Sequence, residues 1–315
     1  MTSPSLAPES GKLNQKAKGR VGDKVFSGTA LAAGIIILVI LVFVSVFLVT
    51  QSIPALTADP ADVTGGKGFL NYVLPLAIGT LIAAGIALLL ATPVAIGVAL
   101  FISHFAPRRF AKSVGYVIDL LAAIPSVVYG AWGMAVLGPA MVTIFNWLHE
   151  NLGFIPIFGD PSQTGRTLMT ASVVLAVMIL PIITALSREI FVQTPKLHEE
   201  AALALGATRW EMIRMAVFPF ARAGIVSAIM LGLGRALGET MAVAMVLSAG
   251  GLTINLIGSG NSTIPADIAL HFPESSGLRA NELIAAGLVL FIITLIVNLI
   301  ARWIVSRHKE FDGAN

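Results

Sequence analysis

The stretch Pro195–Pro219 reads PKLHEEAALALGATRWEMIRMAVFP, and its reading decides what the rest of the chain can be. It is polar-punctuated, looks helical, and lies between two very apolar runs. The local signals describe two helices with a sharp turn between them. Thr194 is a capping residue, Pro195 suits a first helical position, and Glu199 and Glu200 fall early, where the helix dipole favours acids. Gly206 stops the first helix as a left-handed residue does. Thr208 opens the second, and Glu211 three residues on completes a capping box. Ala201, Ala202 and Ala204 give the first helix a surface free of bulky side chains, which can slide into a groove on another protein.

Composition says what surrounds this elbow. The chain has 315 residues, of which 56% are hydrophobic and only 12% charged. Soluble domains carry about 25% charged residues. Together with several long apolar runs, this indicates an all-α, polytopic membrane protein. Cysteine is absent, so disulfides, thiol nucleophiles and Cys-based metal sites are excluded. The formal charge of +3 is modest, and the cations read as orientation signals rather than a nucleic-acid footprint.

Working outward from the elbow, six spans are expected. Residues 1–24 are a polar basic tail, expected to be disordered and cytoplasmic. Residues 25–73 hold a first span, Gly28 to Thr50, too long for a signal-peptide core, and an outside linker, 51–72. A core of five further spans is set at 74–307, with the elbow loop at 195–218, and 308–315 form a second cytoplasmic tail. The second span, Leu74 to Phe105, is expected to tilt or break near Thr92-Pro93. The third starts near Gly115 and bends at Pro125 and Pro139. The fourth is Thr167 to Phe191, the fifth Pro219 to Leu247, and the sixth Leu283 to Ile304. The segments 51–72, 149–166 and 248–280 then lie outside. The basic groups Arg108-Arg109-Lys112 and Arg302-Arg307-Lys309 lie inside with both termini.

Inside the fifth span lies Gly234-Arg235-Ala236-Leu237-Gly238-Glu239. An ion at the centre of a membrane helix costs about 2.5–3.5 kcal/mol, so neither charge faces lipid. Arg235 and Glu239, four apart, share a helix face and can touch. The Arg-first order is the weaker one, which leaves room for a partner on a neighbouring helix. Gly234 and Gly238, at the same spacing, allow another helix to approach, and this span is expected to be central in the bundle. Two readings stand. Either Arg235 lines a translocation route and attracts an anion while Glu239 positions it or closes a gate, or the two form a structural ion pair. His104 and His198 lack ligand partners at metal-binding spacing, so no metal site is expected. A phosphate-binding loop is absent too, so no ATP hydrolysis by that route, and no enzymatic reaction, is expected of this chain.

The elbow resembles the cytoplasmic EAA loop of ABC-importer permeases. Glu200, Ala201, Ala202, Gly206 and Pro219 stand at the matching spacings, with Ala216 and Phe218 replacing the pattern's Ile and Leu. The stretches GIVSAIMLGLGRALGETMAV, 224–243, and IPSVVYGAWG, 124–133, are similar to the permease of the phosphate-specific ABC importer. The resemblance implies a type I ABC importer permease fold with six transmembrane helices in the inner (cytoplasmic) membrane. It implies Arg235 and Glu239 in the route, and ATPase coupling through Glu199, Glu200, Ala201, Ala202 and Gly206. The implied partners are a second related permease, two copies of a cytoplasmic ATPase subunit that binds ATP and Mg, and an extracytoplasmic phosphate-binding protein. No cofactor in this chain and no nucleic acid are implied. Two alternatives stay open: a permease for another oxyanion such as molybdate or sulfate, and a secondary transporter working without ATP.

Overall fold

The computed structural model describes residues 21–248 and 253–307. Most of the expected tail 1–24, part of the 248–280 loop and the tail 308–315 lie outside the described residues. The described chain is helical: α1 (Val21–Thr57), α2 (Phe69–Leu100), α3 (Arg108–Ala122), α4 (Ser126–Trp132), α5 (Gly138–Leu152), α6 (Leu168–Val192), α7 (Lys196–Ala204), α8 (Arg209–Met212), α9 (Phe218–Leu237), α10 (Met241–Val246), α11 (Ile264–His271) and α12 (Leu278–Arg307). It divides into two units, Met1–Phe47 and Leu48–Asn315. The described part of the first is helical from Val21, and its Ile, Leu, Val and Phe side chains are exposed on all sides. An all-round apolar helix suits lipid, not water.

Among the described residues six stretches are long and apolar enough to cross a membrane: Gly22–Thr57, Phe69–Phe105, Ser126–Leu152, Leu168–Val192, Arg209–Leu237 and Leu278–Trp303. The second, third and fifth spans depart most from the sequence reading. The helix of the second span continues through Thr92-Pro93 instead of breaking there. The third span begins at Ser126 rather than Gly115, because Pro125 cuts off α3 as a separate amphipathic helix. The fifth span ends at Leu237, and α10 is a separate short helix beyond the break Gly238–Thr240.

Proline also explains where the spans widen. Three π turns occur, at Phe101–Phe105, Gly133–Leu137 and Ile213–Val217, and each ends two residues before a proline: Pro107, Pro139 and Pro219. Proline donates no backbone hydrogen bond and its ring crowds the carbonyl four residues back. The preceding residue reaches back five residues instead: Ala106 to Phe101, Gly138 to Gly133, Phe218 to Ile213. Pro219 therefore lies inside a helical span running from Arg209, rather than starting it.

The centre of the bundle is α6, where 67% of the apolar window is buried, against 28% for the fifth span. This corrects the expectation that the fifth span is central. Small residues decide it. Ala83, Ala87, Ala91, Ala95 and Ala99 are buried at every fourth position of α2, which packs on α6. Gly224 and Gly232 bring α9 onto Ile190 and Ile183 of α6. Among the described residues of this chain no other element packs on Gly234 or Gly238, the expected packing pair. Gly234 lies two residues, about 200°, round the helix from Gly232 and so faces away from α6.

Candidate functional site

The elbow is built much as its residues dictate, with one shift. Pro195, extended, occupies the cap position of α7, and Lys196 is the first helical residue. Thr194 does not cap. Its amide closes the end of α6 on the Phe191 carbonyl, and its hydroxyl is buried without a hydrogen-bond partner. Pro195 itself adopts the extended conformation, so α7 starts one residue later than the sequence suggests. At the other end, the Gly206 amide donates to the Leu203 carbonyl and the Ala207 amide to that of Ala202, with Gly206 at φ 88°. That is a Schellman turn, which requires the left-handed glycine. Thr208 and Glu211 form the full capping box.

The helix α7 has two faces. Leu197 and Leu205 are 74% and 89% exposed. With Ala201 and Ala204, also exposed, they make an apolar stripe pointing away from the bundle. Glu200 is exposed as well. The opposite face carries Ala202, packed on the inner core of Ala99, Phe191, Met212 and Ile213. It also carries Glu199, whose carboxylate lies 3.5 Å from His104 Nε2. The residues grouped as ATPase-coupling in the sequence thus divide. Glu200 and Ala201 face out, whereas Glu199 and Ala202 face the bundle. His104, set aside as a lone histidine, has a carboxylate partner 95 residues downstream, which no local spacing could indicate.

The second constellation sits at the end of α9, not in the middle of a span. Arg235 is in the last turn of α9 and Glu239 lies in the break that follows it. Their closest atoms are 3.5 Å apart, the Arg235 side chain 48% exposed and that of Glu239 3%. Glu239 also accepts the Ala242 amide at 3.2 Å, in the first turn of α10. An acid there suits the helix dipole. One buried carboxylate thereby holds both the guanidinium and the start of the next helix. Gly234 and Gly238 are exposed beside Arg235, which leaves open space around the cation.

A third cluster escaped the sequence reading. Buried Glu282 accepts from Thr64 N (3.1 Å), Thr64 Oγ1 (2.6 Å) and Arg279 Nη1 (2.9 Å). Arg279 also lies 3.6 Å from Asp267 and over the Tyr72 ring. The network fastens the 58–68 linker, α2, α11 and α12 at the end of the bundle opposite the elbow. Its members span more than 200 positions, so only their polarity at span ends could have signalled them. Among the described residues no group of His, Asp and Glu fit for a metal occurs.

Residues 91–310 match the family model described as binding-protein-dependent transport system inner membrane component. The chain belongs to this family. Among curated relatives, a protein of Mycobacterium tuberculosis named phosphate transport system permease protein PstC 2 is 42% identical over 91% of this chain and 93% of its own length. A phosphate transport system permease protein PstC of Mycobacterium leprae is 42% identical over 82% of this chain and 85% of that protein. Among solved structures, a bacterial alginate ABC transporter in complex with its pentasaccharide-bound periplasmic protein superimposes with a TM-score of 0.59. It is 20% identical and covers 93% of this chain and 99% of that one, a likeness of fold. This inner membrane component is thus a multi-pass permease subunit with the all-α ABC importer fold.

Proposed function

We propose that this chain is one of two related membrane subunits of an ATP-driven importer of inorganic phosphate. The observation that carries the reading is Arg235. It is a half-exposed cation at the end of an apolar span, flanked by exposed glycines and backed by buried Glu239. A guanidinium near the end of a span turns its charged head toward water or a polar partner, so its open side faces protein or a water-filled route. Arginine matches phosphate oxygens in a two-pronged geometry, and a carboxylate behind it fixes the side chain without occupying its front. The relatives' names agree with that chemistry.

Energy comes from two cytoplasmic ATPase subunits that bind ATP and Mg, one of which receives the apolar stripe of α7. Phosphate arrives from an extracytoplasmic binding protein. Both termini and the elbow are cytoplasmic, in the inner membrane, and residues 74–307 form the permease core. Closure of the ATPase pair moves α7 and opens the bundle outward. Hydrolysis returns it to the inward-facing state with the anion released. The test is reconstitution of the complete importer in liposomes with labelled phosphate, with and without the ATPase subunits. ATP-dependent accumulation that excess phosphate suppresses, and sulfate or molybdate does not, is the expected result. Uptake by this chain without ATPase subunits would falsify the reading.

A further inference from the structure

The elbow is fastened to the bundle at a specific place. His104 lies in the π turn that ends the second span, and its side chain is only 9% exposed. Its Nδ1 is 2.7 Å from Ser103 Oγ, which is itself anchored on the Ala99 carbonyl. Its Nε2 points across to Glu199 of α7 at 3.5 Å. The ring stands edge-on to fully buried Phe191 at 6.3 Å, and Phe191 stands edge-on to Phe218 at 6.1 Å. One imidazole thus touches the ends of the second and fourth spans and the coupling helix, and through Phe191 it adjoins the fifth.

A cavity of about 240 Å³ opens beside this contact, lined by Ser103, His104, Thr194, Lys196, Glu199 and Leu203 among others. Thr194, whose buried hydroxyl has no hydrogen-bond partner among the described residues, is one of its lining residues. The joint is therefore loosely filled, and the His104–Glu199 contact crosses it. A π turn is itself a common place for a helix to yield.

We propose that His104 is the positioning residue that transmits movement of the coupling helix to the second span, by holding Glu199. Leu197, Ala201 and Leu205 make the outward contact, and Glu199 makes the inward one. Without the inward contact, α7 can follow an ATPase subunit without taking α2 along. This rests on the ATP-driven reading above.

The experiment uses the complete importer in proteoliposomes and measures phosphate moved per ATP hydrolysed. His104→Ala should lower that ratio about fivefold or more, and Glu199→Ala should do the same. The double variant should be no worse than either single one, because both remove one contact. His104→Gln, which keeps a donor at that reach, should recover most of the ratio, and this separates a lost contact from a lost fold. Unchanged ratios in the alanine variants would overturn the proposal, as would losses that multiply in the double variant. If His104→Ala fails to assemble, Glu199→Ala and His104→Gln still decide it. If the unmodified importer shows no ATP-driven phosphate uptake at all, the fault lies with the broader reading instead.

Discussion

Arg235 and Glu239 show how much a single position can carry. A charge-assisted hydrogen bond contributes roughly 1.5–3 kcal/mol, so removing the guanidinium should cost about 10- to 150-fold. Arg235→Ala is therefore expected to lower phosphate uptake by at least tenfold in an assembled importer, and Arg235→Lys by less, since it keeps the charge but loses the fork. Uptake at several phosphate concentrations checks this, and full activity in Arg235→Ala would end its role in the route. That the pair exists was legible from its spacing. That it marks the end of a helix was not, because α9 stops at Gly238 with no proline to announce it. A second single-residue test concerns stability. Gly165 has φ 67°, and a Cβ there would run into the backbone of Gly138. Gly165→Ala should lower the thermal midpoint of the purified importer in detergent, by a strain of about 1–3 kcal/mol. A midpoint equal to that of the parent would show that the loop can relax.

Among the elements, the coupling elbow was the most readable and also the most instructive where it departed. Caps, turn and capping box are local hydrogen-bond patterns, so they are written in adjacent residues. The inward orientation of Glu199 depends on His104 from another span, so it is not. The same distinction covers α3. Its apolar residues extend the third span on paper, but Pro125 breaks it and Gly115 lets Arg188 of α6 lie against it. The π turns fall between these cases, since each is foretold by its proline but not by any propensity. The elbow makes two expectations. Leu205→Asp places a charge on a side chain that is 89% exposed, so the chain's own fold loses little. Co-purification of the ATPase subunits should nevertheless fall several-fold, and Glu200→Lys should lower uptake in the same way. Gly206→Val should impair coupling more than Gly206→Asn. Nothing lies within 4 Å of a Cβ there, so the cost is purely that of a branched residue at φ 88°. Equal coupling in the two Gly206 variants would remove the turn from the mechanism.

For the whole molecule, contacts sort the loops into two ends. His104, Phe191, Glu199 and Phe218 meet at one. At the other meet Thr64 with Glu282, Tyr72 with Asp267, Ser162 with Ile257, and Arg166 with Leu247. The first end carries Arg109, Lys112, Lys196, Arg209 and Arg214, and the second mixes acids with few cations. Positive charge is retained on the cytoplasmic side, so the elbow end should be inside. The absence of native cysteine makes this directly measurable, because a single introduced thiol is the only one. Lys67→Cys and Asp160→Cys should react with a membrane-impermeant maleimide on intact cells. His198→Cys, in an exposed position of α7, should react only after the membrane is opened. The three positions sit on loops and a surface helix, so the substitutions leave the packed core alone. Labelling of His198→Cys on intact cells would place the elbow out of reach of any cytoplasmic ATPase. The stripe of Leu197, Ala201 and Leu205 would then need a different partner.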